Sequence, residues 1–303
     1  MAEKLLECRE LRKTFGKKQI LKGVNFDLFE GDILGFIGPN GAGKTTTIKL
    51  ILGLQKITSG SVLINGYDIK KDFVSAIEKV GAIVENPDMY MYLTGRENLQ
   101  MIARLYKGIS KERIDEVIKI SGLGKRIDDK VSKYSLGMRQ RLGIAASILH
   151  RPNILILDEP TNGLDPEGIK ELRDLLIYLA KEEKMGILIS SHNLSELESF
   201  CNKICIIQNG SVIESSDIVS LKKKMSDSLY VFELNTVKDL NKVIKQSIEI
   251  LNDNMFRLKI NREDIPALIK KLVSNDYLIY QVAEFQISLE DAFLEKTGGN
   301  TID

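Results

Sequence analysis

Gly38-Pro39-Asn40-Gly41-Ala42-Gly43-Lys44-Thr45 is the stretch on which the fold turns. It has the spacing G-x-x-x-x-G-K-[ST]. The apolar run just before it, Ile33-Leu34-Gly35-Phe36-Ile37, reads as a short buried strand. Thr45 to Leu54, just after it, reads as a helix with Ile48, Ile51 and Leu52 on one side. A strand, a glycine loop and a helix in that order cradle phosphates. Small residues let the loop wrap closely, so backbone N–H groups face phosphate oxygens. Lys44 places a positive charge against the terminal phosphates, and Thr45 offers a hydroxyl to Mg²⁺. The helix N-terminus adds the positive end of its dipole. Thr46 completes this candidate set.

Further along, Ile154-Leu155-Ile156-Leu157 is followed at once by Asp158-Glu159. An acid at the end of a buried strand is costly without a cation partner. Asp158 therefore fits a Mg²⁺ ligand, acting through water, and Glu159 a general base that polarises an attacking water. Such a run taken alone is often just a strand meeting solvent; the phosphate loop upstream gives it chemistry. A kinase, a GTPase or a motor could still carry both parts.

Strand-like runs occur at Leu5 to Leu11, Val24 to Leu28 and Ser61 to Ile64, the last closed by the turn dipeptide Asn65-Gly66. From about 86 to 150 the pattern turns helical: Thr94 to Tyr106, Lys111 to Ser121 and Met138 to Leu149. Thr94-x-x-Glu97 fits a capping box and Ser110-x-x-Arg113 does not. Strands return at Gly186 to Ser190 and Ile204 to Gln208, with a helix from Gly168 to Glu183. Continuous apolar strands alternating with helices imply a largely parallel sheet. From roughly Ser216 the rhythm becomes strand, helix, strand, strand, helix, strand, the order of a small ferredoxin-like unit. Ser288-x-x-Asp291 caps a final helix.

Length and composition set the outer bounds. A chain of 303 residues suggests about two domains. Its formal net charge of +1 gives no support for a polybasic nucleic-acid binder, although such a sum leaves room for a local basic patch; no nucleic acid partner is expected. No run approaches the ~20 apolar residues that span a bilayer, and the N-terminus lacks the apolar core of a secretory signal. Cys8, Cys201 and Cys205 make no disulfide framework and read as structural thiols.

Three further segments carry a family resemblance. Tyr134-Ser135-Leu136-Gly137-Met138-Arg139-Gln140-Arg141 resembles the signature loop of ATP-binding-cassette (ABC) ATPases, usually L-S-G-G-Q. Ser135 and Gly137 are kept, while Tyr134, Leu136 and Met138 depart from it. Asn162-Gly163-Leu164-Asp165 resembles the family's D-loop, and Ser190-Ser191-His192 its switch-histidine loop. Phe15 resembles the aromatic that stacks on adenine. His150, before Arg151-Pro152, reads instead as a helix C-terminal cap. Val80 to Glu85 aligns with the segment that normally ends in glutamine; Glu85 stands in its place. A carboxylate there can bind Mg²⁺ more strongly than an amide. Glu85 and the altered signature together look like the bacitracin-resistance and lantibiotic-immunity branch of ABC exporter ATPases.

The resemblance implies an α/β fold: a P-loop ABC ATPase domain over residues 1–220, with a mixed sheet core and a helical subdomain at about 86–150. Residues 221–303 form a small α+β ferredoxin-like C-terminal domain in this reading. The cofactors implied are ATP and Mg²⁺. Glu159, His192 and Glu85 are the catalytic candidates, and Thr45, Asp158 and Glu85 the metal ligands. Phe15, the loop from Gly38 to Thr46, Ser135, Gly137 and Asp165 would hold nucleotide, the last three across a head-to-tail homodimer. The implied role is to power export by a separate membrane permease, from the cytoplasmic face of the membrane. An ABC ATPase acting on ribosomes or DNA is the alternative, disfavoured by the single cassette and the absence of sustained heptads.

Overall fold

The structure, a computed structural model, describes residues 2–226, 228–285 and 287–297. The chain divides into two compact units. One takes in residues up to Ile218 and resumes at Phe293, and the other is Val219–Ala292. The expected tail of 221–303 differs from the second unit at its end, where Phe293 onward clusters with the first; 298–303 lie outside the described residues.

The strands of the first unit are β1 (Lys4–Phe15), β2 (Lys18–Phe29), β3 (Ile33–Ile37), β4 (Ser59–Ile64), β5 (Tyr67–Asp68), β6 (Val80–Ile83), β7 (Ile154–Asp158), β8 (Gly186–Ser191), β9 (Lys203–Gln208) and β10 (Ser211–Asp217). They make two sheets. An antiparallel one has the order β2-β1-β4-β5, and a mixed one the order β10-β9-β3-β8-β7-β6. In the second sheet β9, β3, β8, β7 and β6 run parallel, and β10 pairs antiparallel with β9. Every residue of β3, β7 and β8 is buried, which is why these strands read as unbroken apolar runs. The helix Lys44–Ile51 adds Ile48, Leu50 and Ile51 to the core beside Phe36, Ile156 and Leu188.

Register decides where the chemistry sits. Ile37 is level with Ser191, and Asp158 is level with Ser190. Gly38, Glu159 and His192 therefore leave the sheet at the carboxyl ends of three neighbouring parallel strands. In open α/β sheets this edge is where ligands bind.

Between β6 and β7 lie the helices Gly95–Ala103, Lys111–Ile120 and Leu136–Ser147, as the helical pattern over 86–150 implied. Thr94 closes the expected capping box: its Oγ1 accepts from the Glu97 N–H at 3.1 Å, and its own N–H donates to Glu97 Oε2 at 2.7 Å. Ser110 caps the next helix with no return bond. Buried Arg113 donates from Nε to the Leu149 carbonyl at 3.1 Å, tying the second helix to the end of the third.

The second unit contains β11 (Leu229–Leu234), β12 (Ile248–Ile250), β13 (Met255–Lys259) and β14 (Ile279–Glu284) in one antiparallel sheet, order β12-β13-β11-β14. Phe232 and Phe256 stack at 5.0 Å in its core with Leu268 and Leu272 of the helix Ile265–Val273. The helix expected between the first two strands of this unit is only Leu240–Val243, one turn long. Asp239 sits at φ 60, a left-handed conformation through which a right-handed helix cannot run.

Candidate functional site

The phosphate loop is shaped by its glycines. Gly43 has φ 114 and ψ 8 at the helix entrance, a conformation side chains resist. At Gly38 the constraint is space: a Cβ would lie 2.3 Å from the Ile207 carbonyl oxygen. No side chain caps the following helix, so its first N–H groups remain available to an anion.

Lys44 is buried. Its Nζ donates to the Gly38 carbonyl at 2.7 Å and lies 3.4 Å from Glu159 Oε1. The other Glu159 oxygen, Oε2, accepts from His192 Nδ1 at 2.8 Å. With the proton on Nδ1, a neutral imidazole leaves Nε2 as an acceptor. Glu159 has φ 50, and its backbone N–H donates to Ser190 Oγ at 2.9 Å. The same hydroxyl donates to Asp158 Oδ1, so Ser190 braces both acids. Ser190 was legible only as part of the histidine loop; its bracing role depends on register between strands.

Lys44, Glu159 and His192 line a cleft of about 550 Å³, whereas the buried Asp158 and Ser190, and Gly38 and Ala42 of the loop, do not line it. Phe15, Pro39, Asn40, Gly41, Gly43, Lys44, Thr45, Thr46, Glu159 and His192 are brought together there, joined by Lys18, Ile20 and Asn162. Phe15 is half exposed, and the Lys13 Nζ lies 4.5 Å from its ring centroid. Its free ring area can take a planar base, and the loop's N–H groups a polyphosphate. The two candidate metal ligands are both oxygen donors, the Thr45 hydroxyl in the cleft and the buried Asp158 carboxylate. That set suits a hard divalent cation held jointly with phosphates. Another cleft, about 450 Å³, contains none of the phosphate-loop residues, and its Arg9 and Lys203 are already ion-paired, to Asp27 and Asp32.

Other expected residues lie apart from this cleft. Ser135 caps the helix Leu136–Ser147, accepting from the Met138 N–H at 3.2 Å. Asp165 caps Pro166–Lys181, accepting from the Gly168 N–H at 3.1 Å. The two caps are neighbours: a Cβ on Gly137 would stand 3.4 Å from the Gly168 Cα. Glu85 has φ 68, is exposed, and pairs with Lys49 Nζ at 2.9 Å; it does not line the cleft.

His150 is not a helix cap. The helix ends at Ser147, and His150 lies beyond it, donating from Nε2 to the Val80 carbonyl at 3.2 Å and stacking on Tyr106 at 4.5 Å. Burial holds its pKa below the ordinary value. Cys8, Cys201 and Cys205 are buried free thiols, with pKa values pushed up by desolvation.

Comparison with known proteins fits this geometry. Residues 21–162 match the family described as ABC transporter. An uncharacterised ABC transporter ATP-binding protein of Bacillus subtilis, YhcH, is 46% identical over 97% of this chain and 96% of its own length. The bacitracin transport ATP-binding protein BcrA of Bacillus licheniformis is 41% identical over 98% of this chain and 99% of its own. Among solved structures, a dimeric ATP-binding cassette in a post-hydrolysis state with ADP and Pi has 26% identity and a TM-score of 0.62, covering 71% of this chain and 99% of that one. No helix among the described residues is long and apolar enough to cross a membrane. On this sequence similarity, the chain belongs to the ATP-binding proteins of ABC transporters, which hydrolyse ATP to drive transport.

Proposed function

We propose that this chain is the motor subunit of an exporter for a bacitracin-like or other antimicrobial peptide or drug. The observation that carries the substrate class is the 41% identity to a bacitracin transport ATP-binding protein over nearly the whole of both chains.

In this reading Phe15 stacks on adenine, the loop from Gly38 to Thr46 wraps the phosphates, and Lys44 leaves Glu159 for the terminal phosphate. Thr45 and Asp158 would hold Mg²⁺, which supplies charge neutralisation to the phosphates when bound. Glu159 takes the proton of the attacking water. His192 orients that carboxylate through the 2.8 Å contact and offers its other nitrogen to the γ-phosphate. Ser135, Gly137 and Asp165 serve the nucleotide of a second copy in a head-to-tail dimer. Their separation from the Lys44 cleft supports that assignment.

A separate membrane permease is the proposed partner, placing the chain on the cytoplasmic face of the membrane. The docking surface proposed for it is the groove of about 270 Å³ lined by Asn86, Pro87, Met89 and Tyr106. Tyr92 and Leu105 stand exposed in the same segment, at 67% and 81%. The second unit has the strand order and antiparallel pairing of a ferredoxin-like domain, the fold proposed for it.

Affinity purification from detergent-solubilised membranes tests the assignment. Recovery of a multi-span permease is expected, and recovery of ribosomes or DNA overturns the transport reading.

A further inference from the structure

Lys13 is a buried cation without a counterion. It lies two residues before Phe15, near the end of β1, and is 8% exposed. Its ammonium donates to the Lys56 carbonyl at 2.7 Å, and among the described residues no carboxylate pairs with it. An ammonium taken out of water is costly unless something compensates it. Beside that carbonyl, the compensation here is the Phe15 ring, whose centroid lies 4.5 Å from Nζ. Such a contact is stronger for a desolvated cation than for one in water. The backbone around the pair is fixed as well. The Thr14 N–H donates to Thr58 Oγ1 at 3.0 Å, and the Thr58 N–H to the Arg12 carbonyl at 3.1 Å. Residues 56 to 58 thus hold Arg12, Lys13 and Thr14 in turn. Phe15 itself is 47% exposed and lines the phosphate-loop cleft, which Lys13 does not.

We propose that Lys13 is a positioning residue for the base: it fixes the plane of the Phe15 ring and occupies ring surface outside the cleft, so that one face is left for adenine. The proposal rests on the reading of Phe15 as the residue that stacks on adenine. A half-exposed aromatic at a strand end, beside the left-handed turn at Gly16, is otherwise free to change rotamer. A base that meets a ring already in place does not have to order it, which removes part of the cost of binding. The ammonium can hold the ring because the Lys56 carbonyl holds the ammonium; a lysine in open solvent would keep its hydration instead. The effect is confined to ligands that carry a base, since the phosphates are met by the loop from Gly38 to Thr46 rather than by Phe15.

The test is displacement of a ribose-labelled fluorescent ATP analogue from the full chain by two competitors, a non-hydrolysable ATP analogue and inorganic tripolyphosphate. K13M should raise the inhibition constant of the ATP analogue about threefold, the scale of a lost cation–π contact, and leave that of tripolyphosphate unchanged. F15L should also weaken the ATP analogue, and K13M added to F15L should cost nothing more. Equal losses for both competitors would mean that Lys13 acts on the phosphates or on the fold, and would overturn the proposal. An undiminished effect of K13M in the F15L background would overturn it too. Unchanged binding in K13M, with F15L weakened, would remove the role of Lys13 alone. Wild-type affinity in F15L would instead remove the stacking reading, and this role with it. K13Q, which loses the charge but keeps a side-chain N–H donor, is the second variant and should repeat the K13M result. Tripolyphosphate binding reports an intact phosphate loop in each protein.

Discussion

His192 Nδ1 and Glu159 Oε2 meet at 2.8 Å across the ends of two adjacent parallel strands. The contact gives the proposed base a fixed orientation and assigns the ring proton to Nδ1. Lys44, 3.4 Å from the other oxygen, holds the carboxylate from its second side. E159Q keeps the shape of this arrangement and removes the proton acceptor. ATP turnover is expected to fall about 10²- to 10⁴-fold, with ATP binding retained and an ATP-bound dimer accumulating. Steady-state hydrolysis and size-exclusion chromatography with ATP read both effects. Normal turnover by a monomeric E159Q protein would remove Glu159 from the role of base.

Ser135 and Lys44 are assigned to different nucleotides of a dimer, and mixed dimers can show this. With K44A on one subunit and S135A on the other, both lesions fall in the same composite site and the second site stays whole. With both substitutions on one subunit, each site carries one lesion. Hydrolysis is expected to persist in the first arrangement and to fall much further in the second. The opposite ranking would place Ser135 at its own subunit's nucleotide.

Gly38 is a matter of space. A methyl group at this position would sit 2.3 Å from the Ile207 carbonyl oxygen, backbone that cannot step aside cheaply. G38A should lose about 1–3 kcal/mol of stability from overpacking and bind nucleotide more weakly. Urea denaturation and an ATP-binding isotherm provide the check. An unchanged urea midpoint would show that the strand end relaxes freely.

His150 links stability to pH. Burial lowers its pKa in the folded state from the ordinary 6.5, so the folded protein favours the neutral ring. Below that value the unfolded chain binds more protons, and the contribution of this residue to stability declines as pH falls through 6.5 and beyond. The ring is partly accessible, so the effect should be modest. Comparing H150F with the wild type between pH 7.5 and 5 checks the sign: the wild type should lose more on acidification. A parallel loss in both would mean that other groups govern this range.

Much of the cassette was legible in the sequence because its chemistry is local. The phosphate loop, Asp158-Glu159 and Ser190-Ser191-His192 are each consecutive residues at the end of an apolar strand, so pattern and function coincide. The strands β1 and β2 were only half legible. Each spans 12 residues, but charged residues outside the apolar runs, Arg12 and the buried Lys13 in β1 and the exposed Lys18 and Lys22 in β2, mask the apolar period. β10 was hidden for the same reason, since Glu214, Ser215, Ser216 and Asp217 make a polar edge. The Lys49–Glu85 pair joins residues 36 apart in sequence, and the Ser190 brace on Asp158 joins residues 32 apart. No periodicity marks such partners, because only the packing of the strands and helices creates them. His150 was misread because proximity to a helix end suggested a cap. Its actual partners, Val80 and Tyr106, come from distant parts of the chain.

The helices that begin after Ser135 and Asp165 abut through Gly137 and Gly168, where backbone faces backbone. Bulkier residues between them would allow one helix to roll or slide while its neighbour stayed in place. Two bare glycines leave no such slack. Displacement of either helix must drag the other, so the loops at Ser135 and Asp165 move as a single mechanical edge, the edge that the proposed dimer would present to its facing subunit.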